Sequence, residues 1–581
     1  MKKNVFLSMA LLLSGLTGFS QANVQIIHNC PTPAANSVDI YLYDGTSWSA
    51  GPVVSGLLFR EATPYVQLPS NLSTMRVAIA PSDATPTIGD TLVSFAVPNL
   101  TTGAYYVAMA AGEVGSSTTP FNIFYGAGKA TATNPTEFDV NVFHGSTDAP
   151  AVHGFIGNAL VPAVPNLAYG TYSGFASLQA NDLALLLTPA ANVNIMVEGF
   201  GVPLQTLNAA GGAGILFASG YLNPATGQPA FGLFVALPNG TVLSLPTADL
   251  SRIQVVHNSP DPLVGTVDLY IANSNGDIIP LNDVSYKTST PYLIVPSDNY
   301  RAIFCPSNST DTTSGLVKIP FTLVKNVTYQ AIAYGLANTT GTLFDHSESV
   351  NGSAVGFTVE LLEDARIQSE TAGTSDVMVI HHSPDAPAVD AVSQTTGITV
   401  IDDIAYGDTF GYAAFPAAGS TVLNVTPGND NNIVVGSFLV PLGSLSNTAV
   451  TVFASGFVTP NDENVNNLAA FGLFAVLPNG GNFIPLPNVT SVENENLNIS
   501  TSIFPNPATD FINVSIDSKI NGNINVQMID MNGKVINAVN DIQISKGANQ
   551  FSLNVSSLSN GMYQIHIFNN EVNVKTKFIK L

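Results

Sequence analysis

Four short stretches of this chain bring together residue types that could do chemistry. "VIHHSPDAP" sets His381, Ser383 and Asp385 at i, i+2 and i+4, the types that supply a base, a nucleophile and an orienting carboxylate. "VVHNSPDPL" repeats them at His257, Ser259 and Asp261, and "VFHGSTDAP" at His144, Ser146 and Asp148; "IIHNCPTPA" keeps His28 but carries Cys30 and Thr32. Three points stand against catalysis. Pro384 breaks the extended geometry inside the trio, no strained Gly-x-Ser-x-Gly elbow is present, and Ser drifts to Cys and Asp to Thr among the copies. No catalytic residue is therefore assigned, and the chain reads as a non-enzyme. A second recurring carboxylate is the "VD" step at Asp39, Asp268 and Asp390, replaced by His153 in the second copy. Oxygen ligands suit calcium, which makes these three the metal candidates, yet no Asp-rich loop of calcium spacing accompanies them. His381-His382 has no third ligand at metal spacing. Neither metal nor cofactor is expected; each Asp is read as a hydrogen-bond acceptor at a strand start.

The elements that must position these residues are strands. Alternation puts Val24, Ile26 and His28 on one face, and Ile253, Val255 and His257, Val140, Val142 and His144, and Val377, Val379 and His381 repeat the pattern. Ser-Pro-Asp is turn chemistry, because Ser bonds back to the backbone and Pro presets φ. A return strand follows, in which Val38, Ile40 and Leu42 point inward and Asp39 and Tyr41 outward. Short β-branched and aromatic runs bounded by Gly, Pro and Asn fill the rest, with hairpin signals at Asn239-Gly240, Asn275-Gly276 and Asn479-Gly480. About seven strands in roughly 110 residues predict an immunoglobulin-like β-sandwich for each copy.

The predicted fold class is all-β: tandem sandwiches over 23–125, 138–249, 251–364 and 375–489, then a small C-terminal β-sandwich over 499–581. "LAYGTYSGF" from Leu167 matches "IAYGDTFGY" from Ile404, and "FGLFVALPNG" matches "FGLFAVLPNG", so copies two and four are close kin and the order is A, B, A, B. Polar linkers are read at 126–138, 363–376 and 490–500, whereas only "PTADLS" separates copies two and three, which should abut.

Composition narrows the class further. A chain of 581 residues exceeds one core, and 45% apolar residues against 10% charged ones describe a folded protein. The net charge of -23 disfavours nucleic acid and anionic membrane surfaces. Lys2, Lys3 and the apolar run Val5–Leu13 lay out a cleavable secretory signal over 1–22, and no later apolar run is long enough for a transmembrane segment. Cys30 and Cys305 are read as free, buried thiols.

The repeats resemble the DUF4397 family, whose hallmark is similar to His381–Asp390; the likeness covers about 24–490 and implies a secreted or surface β-rich module without an assigned activity. The last domain resembles the type A sorting domain of the Bacteroidetes type IX secretion system. "IFPNPATD" with Pro505, Asn506 and Pro507, "MIDMNGKVI" with Gly533, "LSNGMYQIHI" with Gly561 and Tyr563, and "KTKFIKL" with Lys577 and Lys580 carry it. It implies export by that machinery and removal of the domain, leaving the chain released or held on the outer face of the outer membrane. Within it, Asn532-Gly533 reads as a hairpin turn and "GMYQIHIF" as an edge-protected strand. The expected function is binding or adhesion to a glycan or a surface protein, with a ligand-free spacer or an accessory role in polysaccharide degradation as alternatives.

Overall fold

A computed structural model describes residues 20–70, 73–82, 91–337, 348–460, 468–489, 499–530, 534–569 and 572–581. Most of the signal at 1–22, most of the linker at 490–500, and Gly533 with its predicted hairpin lie outside them. The chain divides into two compact units: one holds the repeats through Leu486 apart from Val434–Leu439, and the other holds those residues with Pro487–Leu581.

Each repeat is a two-sheet sandwich with eight strand positions. In the second repeat they run Glu137–Phe143, Val152–Ile156, Val164–Leu167, Tyr172–Gln179, Asp182–Pro189, Glu198–Pro203, Ala213–Ser219 and Gly232–Ala236. One sheet has the order 4-1-7-8 and the other 3-2-5-6, and the same orders recur in repeats one and three. Repeat four repeats 4-1-7-8 and the 3-2-5 portion of its second sheet. The layering is that of a sandwich, but the pairing differs from the constant-type immunoglobulin order, in which strands 1-2-5-4 face 3-6-7. Here the first strand runs parallel to the seventh in all four repeats. Among the described residues, helical segments are short 3₁₀ turns such as Pro33–Ala35 and Pro262–Val264.

Each first strand is apolar on both faces. Val24 packs inward with Val38, Ile40 and Leu42, the inward set read from the sequence, in the core of repeat one. Ile27, on the opposite face, packs with Val107 and Met109 against Phe143, Ile215 and Phe217 of repeat two. Repeats three and four meet in the same way through Val256 and Ile332 against Ile380, Phe453 and Phe483. The 4-1-7-8 sheets are thus glued face to face, in two pairs. One buried glutamine stitches each pair: Gln25 Nε2 donates to Thr63 O at 3.0 Å and Leu237 O at 2.7 Å, and Gln254 Nε2 to Thr290 O at 2.9 Å and Leu477 O at 2.8 Å. A cation caps each seam, Arg60 over Phe234 and Lys287 over Phe474. The pairs join where Arg252 Nη1 donates to Val193 O at 2.7 Å and Ile294 N–H to Asn158 Oδ1 at 2.9 Å.

The C-terminal unit builds its own sandwich. Strands Ile499–Phe504, Phe511–Ser518 and Gly547–Asn554 form one sheet; Val535–Ile544, Gly522–Asp530, Gly561–Phe568 and Asn573–Lys580 form the other. Ile512, Val514 and Ile516 pack with Ile565, Ile567 and Phe578 between them. The "GMYQIHIF" strand lies inside its sheet, flanked on both sides.

Candidate functional site

The repeated His lies beneath the turn in every repeat. Its Nε2 meets a carbonyl just before the return strand: Ala35 O at 2.5 Å from His28, Pro150 O at 2.9 Å from His144, Val264 O at 2.6 Å from His257 and Pro387 O at 3.2 Å from His381. A carbonyl only accepts, so each ring carries its proton on Nε2. Burial pushes all four rings toward the neutral form, His28 and His381 to about 4. Nδ1 of His257 accepts the Ser259 N–H at 3.4 Å, while Nδ1 of His28, His144 and His381 is buried without a hydrogen-bond partner among the described residues.

Ser and Asp of the motif reach across the sandwich to the loop after the seventh strand. Ser146 Oγ donates to Gly220 O at 2.7 Å, and Ser259 to Gly335 O and Ser383 to Gly456 O, each at 2.6 Å. Those glycines are left-handed; at Gly456, φ is +87° and a Cβ would stand 2.3 Å from Ala470 O, so no other residue fits. Asp148 accepts the Leu222 and Asn223 N–H groups, Asp261 those of Leu263 and Ala337, and Asp385 those of Val458 and Thr459 together with the Thr459 hydroxyl. Thr32 does the same work in repeat one, where its Oγ1 accepts the Val114 N–H at 3.1 Å. The trio therefore forms three separate ties. Ser146 also approaches Asp148 at 3.3 Å, but no motif His bonds a Ser hydroxyl among the described residues. Replacing Asp385 by Ala removes three acceptor contacts at once and is expected to destabilise the fourth repeat by about 1–3 kcal/mol. Limited proteolysis should then cut faster between Phe457 and Pro460, and an unchanged cleavage rate would refute the tie.

The "VD" carboxylates meet the backbone of the third strand. Asp39 Oδ1 accepts the Gly56 N–H at 2.8 Å, Asp268 that of Asp283 at 2.8 Å and Asp390 that of Asp403 at 2.7 Å, at bulges where the donor residue has positive φ. In repeat two the imidazole substitutes: His153 Nδ1 accepts the Asn166 N–H at 3.0 Å. The three Asp lie in separate repeats, and among the described residues no three His, Cys, Asp or Glu side chains gather as metal ligands. Cys30 and Cys305 are free and buried.

In the C-terminal unit, Asn506 ties the "PNP" loop to the last strand, donating to Lys577 O at 3.3 Å and accepting the Ile579 N–H at 2.9 Å. Pro505 and Pro507 flank it, each after a cis peptide. Tyr563, two residues past Gly561, stacks on Phe578 at 5.7 Å; Lys577 is exposed and Lys580 buried. Residues 502–581 match the secretion system C-terminal sorting domain, and residues 22–154 and 251–356 match DUF4397, a domain of unknown function. The chain carries DUF4397 repeats and ends in a type IX sorting domain. That domain directs it through the type IX machinery out of the cell. The DUF4397 matches span repeats one and three and the opening of repeat two; the fourth, with the fullest hallmark at His381–Asp390, lies outside them but shares the strand order and the turn ties.

No curated protein matches the sequence. Among solved structures the chain is similar to the glycogen-degrading pneumococcal virulence factor SpuA, at 10% identity over 75% of this chain and 37% of that one, with a TM-score of 0.12. It is also similar to PorZ, a surface component of the type IX system of Porphyromonas gingivalis, at 11% identity over 92% and 72%, with a TM-score of 0.12. The chain spans little more than a third of SpuA, and TM-scores this low carry no argument. No helix among the described residues is long and apolar enough to cross a membrane.

The second repeat has an open interior. Between the sheets of the second lies a cavity of about 510 Å³, walled by Val140, Leu185, Leu187, Leu216, Leu233 and Val235 among others. The same place in the fourth holds about 60 Å³.

Proposed function

We propose that the exported chain is a non-catalytic binding or adhesion protein, which presents its paired repeats to a glycan or surface protein outside the cell. The observation that carries this reading is the fate of the recurring polar motif. In each repeat the motif His binds the turn, and Thr32, Asp148, Asp261 and Asp385, with Ser146, Ser259 and Ser383, bond the neighbouring loop, so the recurring polar residues are engaged in holding the loops in place. Face-to-face pairing supports it as well, because two stiff double sandwiches hold several loops at fixed spacing, and repeated weak contacts multiply into avidity against a repetitive partner. After passage by the type IX route the chain is either released or held on the outer face of the outer membrane.

The test is a glycan-array and whole-cell binding screen of residues 20–489, with calcium and then with chelator. Reproducible binding is expected, and it should be indifferent to chelator, because Asp39, Asp268 and Asp390 already accept backbone N–H groups. A blank on glycans and cells would sink the adhesion reading in favour of a spacer. Loss of binding with chelator would make those carboxylates ligands.

A further inference from the structure

We propose that the second repeat is a receptor for one apolar chain, a fatty acyl or similar hydrocarbon tail, held between its two sheets. The inference stands apart from loop-mediated binding and does not depend on it. Repeats two and four share strand order, turn ties and the "AYG" turn before the fourth strand, so the fold itself does not require a void. Side chains make the difference. The fourth strand points Ser173, Ala176 and Leu178 into the cavity of repeat two, and the aligned positions of repeat four are Phe410, Ala413 and Phe415. Gly154, on the facing sheet, is matched by Ala391. Where repeat four fills its interior with two phenyl rings, repeat two leaves it open.

The lining says what would enter. Among the described residues the lining is apolar apart from His144, Ser173, Asn208 and Asn239 and holds no Asp, Glu, Lys or Arg, so an ion would find no counter-charge and a sugar would leave most of its hydroxyls unpaired, whereas a hydrocarbon loses nothing. A volume of about 510 Å³ lies within the range of small-molecule sites, roughly 300–1,000 Å³. At the roughly 30 Å³ that a water-sized group occupies, it takes a chain of about a dozen carbons or more. There is a way in: Ser173, Ala176 and, on the loop after the sixth strand, Leu207 line the cavity and are exposed to solvent. Leu207 is 49% exposed, an apolar side chain at the rim of an apolar interior.

The experiment uses the delipidated secreted chain and cis-parinaric acid, a fatty acid that fluoresces in apolar surroundings, with dodecanoate as competitor. One saturable site per chain is expected, displaced by dodecanoate. Ser173→Phe copies the filling of repeat four and should weaken binding at least tenfold. Ser173 Oγ also accepts the Val142 N–H at 3.0 Å, so Ala176→Leu serves as a second variant that leaves this bond alone and should weaken binding similarly. Absence of saturable binding, or affinity unchanged in whichever of the two variants folds, would overturn the proposal. The glycan screen is expected to be unaffected by either variant, so failure here is distinguishable from failure of the adhesion reading.

Discussion

An excised first repeat, residues 20–128, is expected to aggregate or stay unfolded, while the first pair, residues 20–249, is monomeric and melts in one transition. The cause is the outer face of the 4-1-7-8 sheet. Cutting away repeat two strips cover from Ile27, Val107 and Met109, which are buried in the pair. Burial of a side chain of that size contributes about 1.5–3 kcal/mol, roughly 5–9 kcal/mol for the three. A domain is stable by only about 5–15 kcal/mol, so this loss alone approaches the total. Gln25 also loses its bond to Leu237 O, and Arg60 loses Ser219, Ala230 and the face of Phe234. Light scattering after size exclusion and a thermal melt decide it. A monomeric single repeat that melts with the pair would show that the seam contributes little.

The second large effect is acid sensitivity between pH 6.5 and 4. Each motif His is buried and neutral, and its folded pKa lies below the value of about 6.5 it takes when unfolded. In that window the unfolded chain binds protons that the folded one refuses, so stability falls as pH falls; it is fully present above 6.5 and lost toward the folded pKa. For His28 and His381, both near 4, the loss is of order 3 kcal/mol each. His382 adds to it: burial pushes it down, against the pull of Glu360 at 3.4 Å. Lowered carboxylates add to the fall only at the lower edge of the window, since they begin to lose their contribution as pH drops toward their unfolded value of about 3.9. Burial pushes Asp139 up, but Lys129, Ser177 and Thr133 together hold it well below the usual range, and its loss belongs to lower pH. Urea midpoints at pH 7.5, 5.5 and 4.5 should fall steadily, and a His28→Gln variant should show a shallower fall. A flat profile would mean that the rings are open to protons in the native state.

Much of this architecture is legible in the chain. The phase of Val24, Ile26 and His28 gives an inward face, and Ser-Pro-Asp gives the turn. What sequence spacing does not give is the far end of each tie: Ser146 and Asp148 bond groups 74 and more residues away, and only the sandwich brings Gly220 and Leu222 to them. Substitutions that look like decay are replacements in kind, since Thr32 and His153 accept the same backbone donors as the Asp they replace. The seam between paired repeats left a signal that was open to reading: Ile27, Val256 and Ile380 break strict alternation, as strands buried on both faces do. The parallel pairing of first and seventh strands left none, because it depends on which sheet each strand joins. The open interior was visible only as Ser173, Leu178 and Gly154 set against Phe410, Phe415 and Ala391 in two otherwise similar repeats.

The glued seam also sets a rule for how such a chain can lengthen. A single extra repeat, inserted anywhere, would bring one uncovered sheet with it and have no counterpart for its glutamine. Copying two neighbours together brings lock and key in one step, so viable longer or shorter versions of this protein should differ by even numbers of repeats, and the pair is the heritable building block.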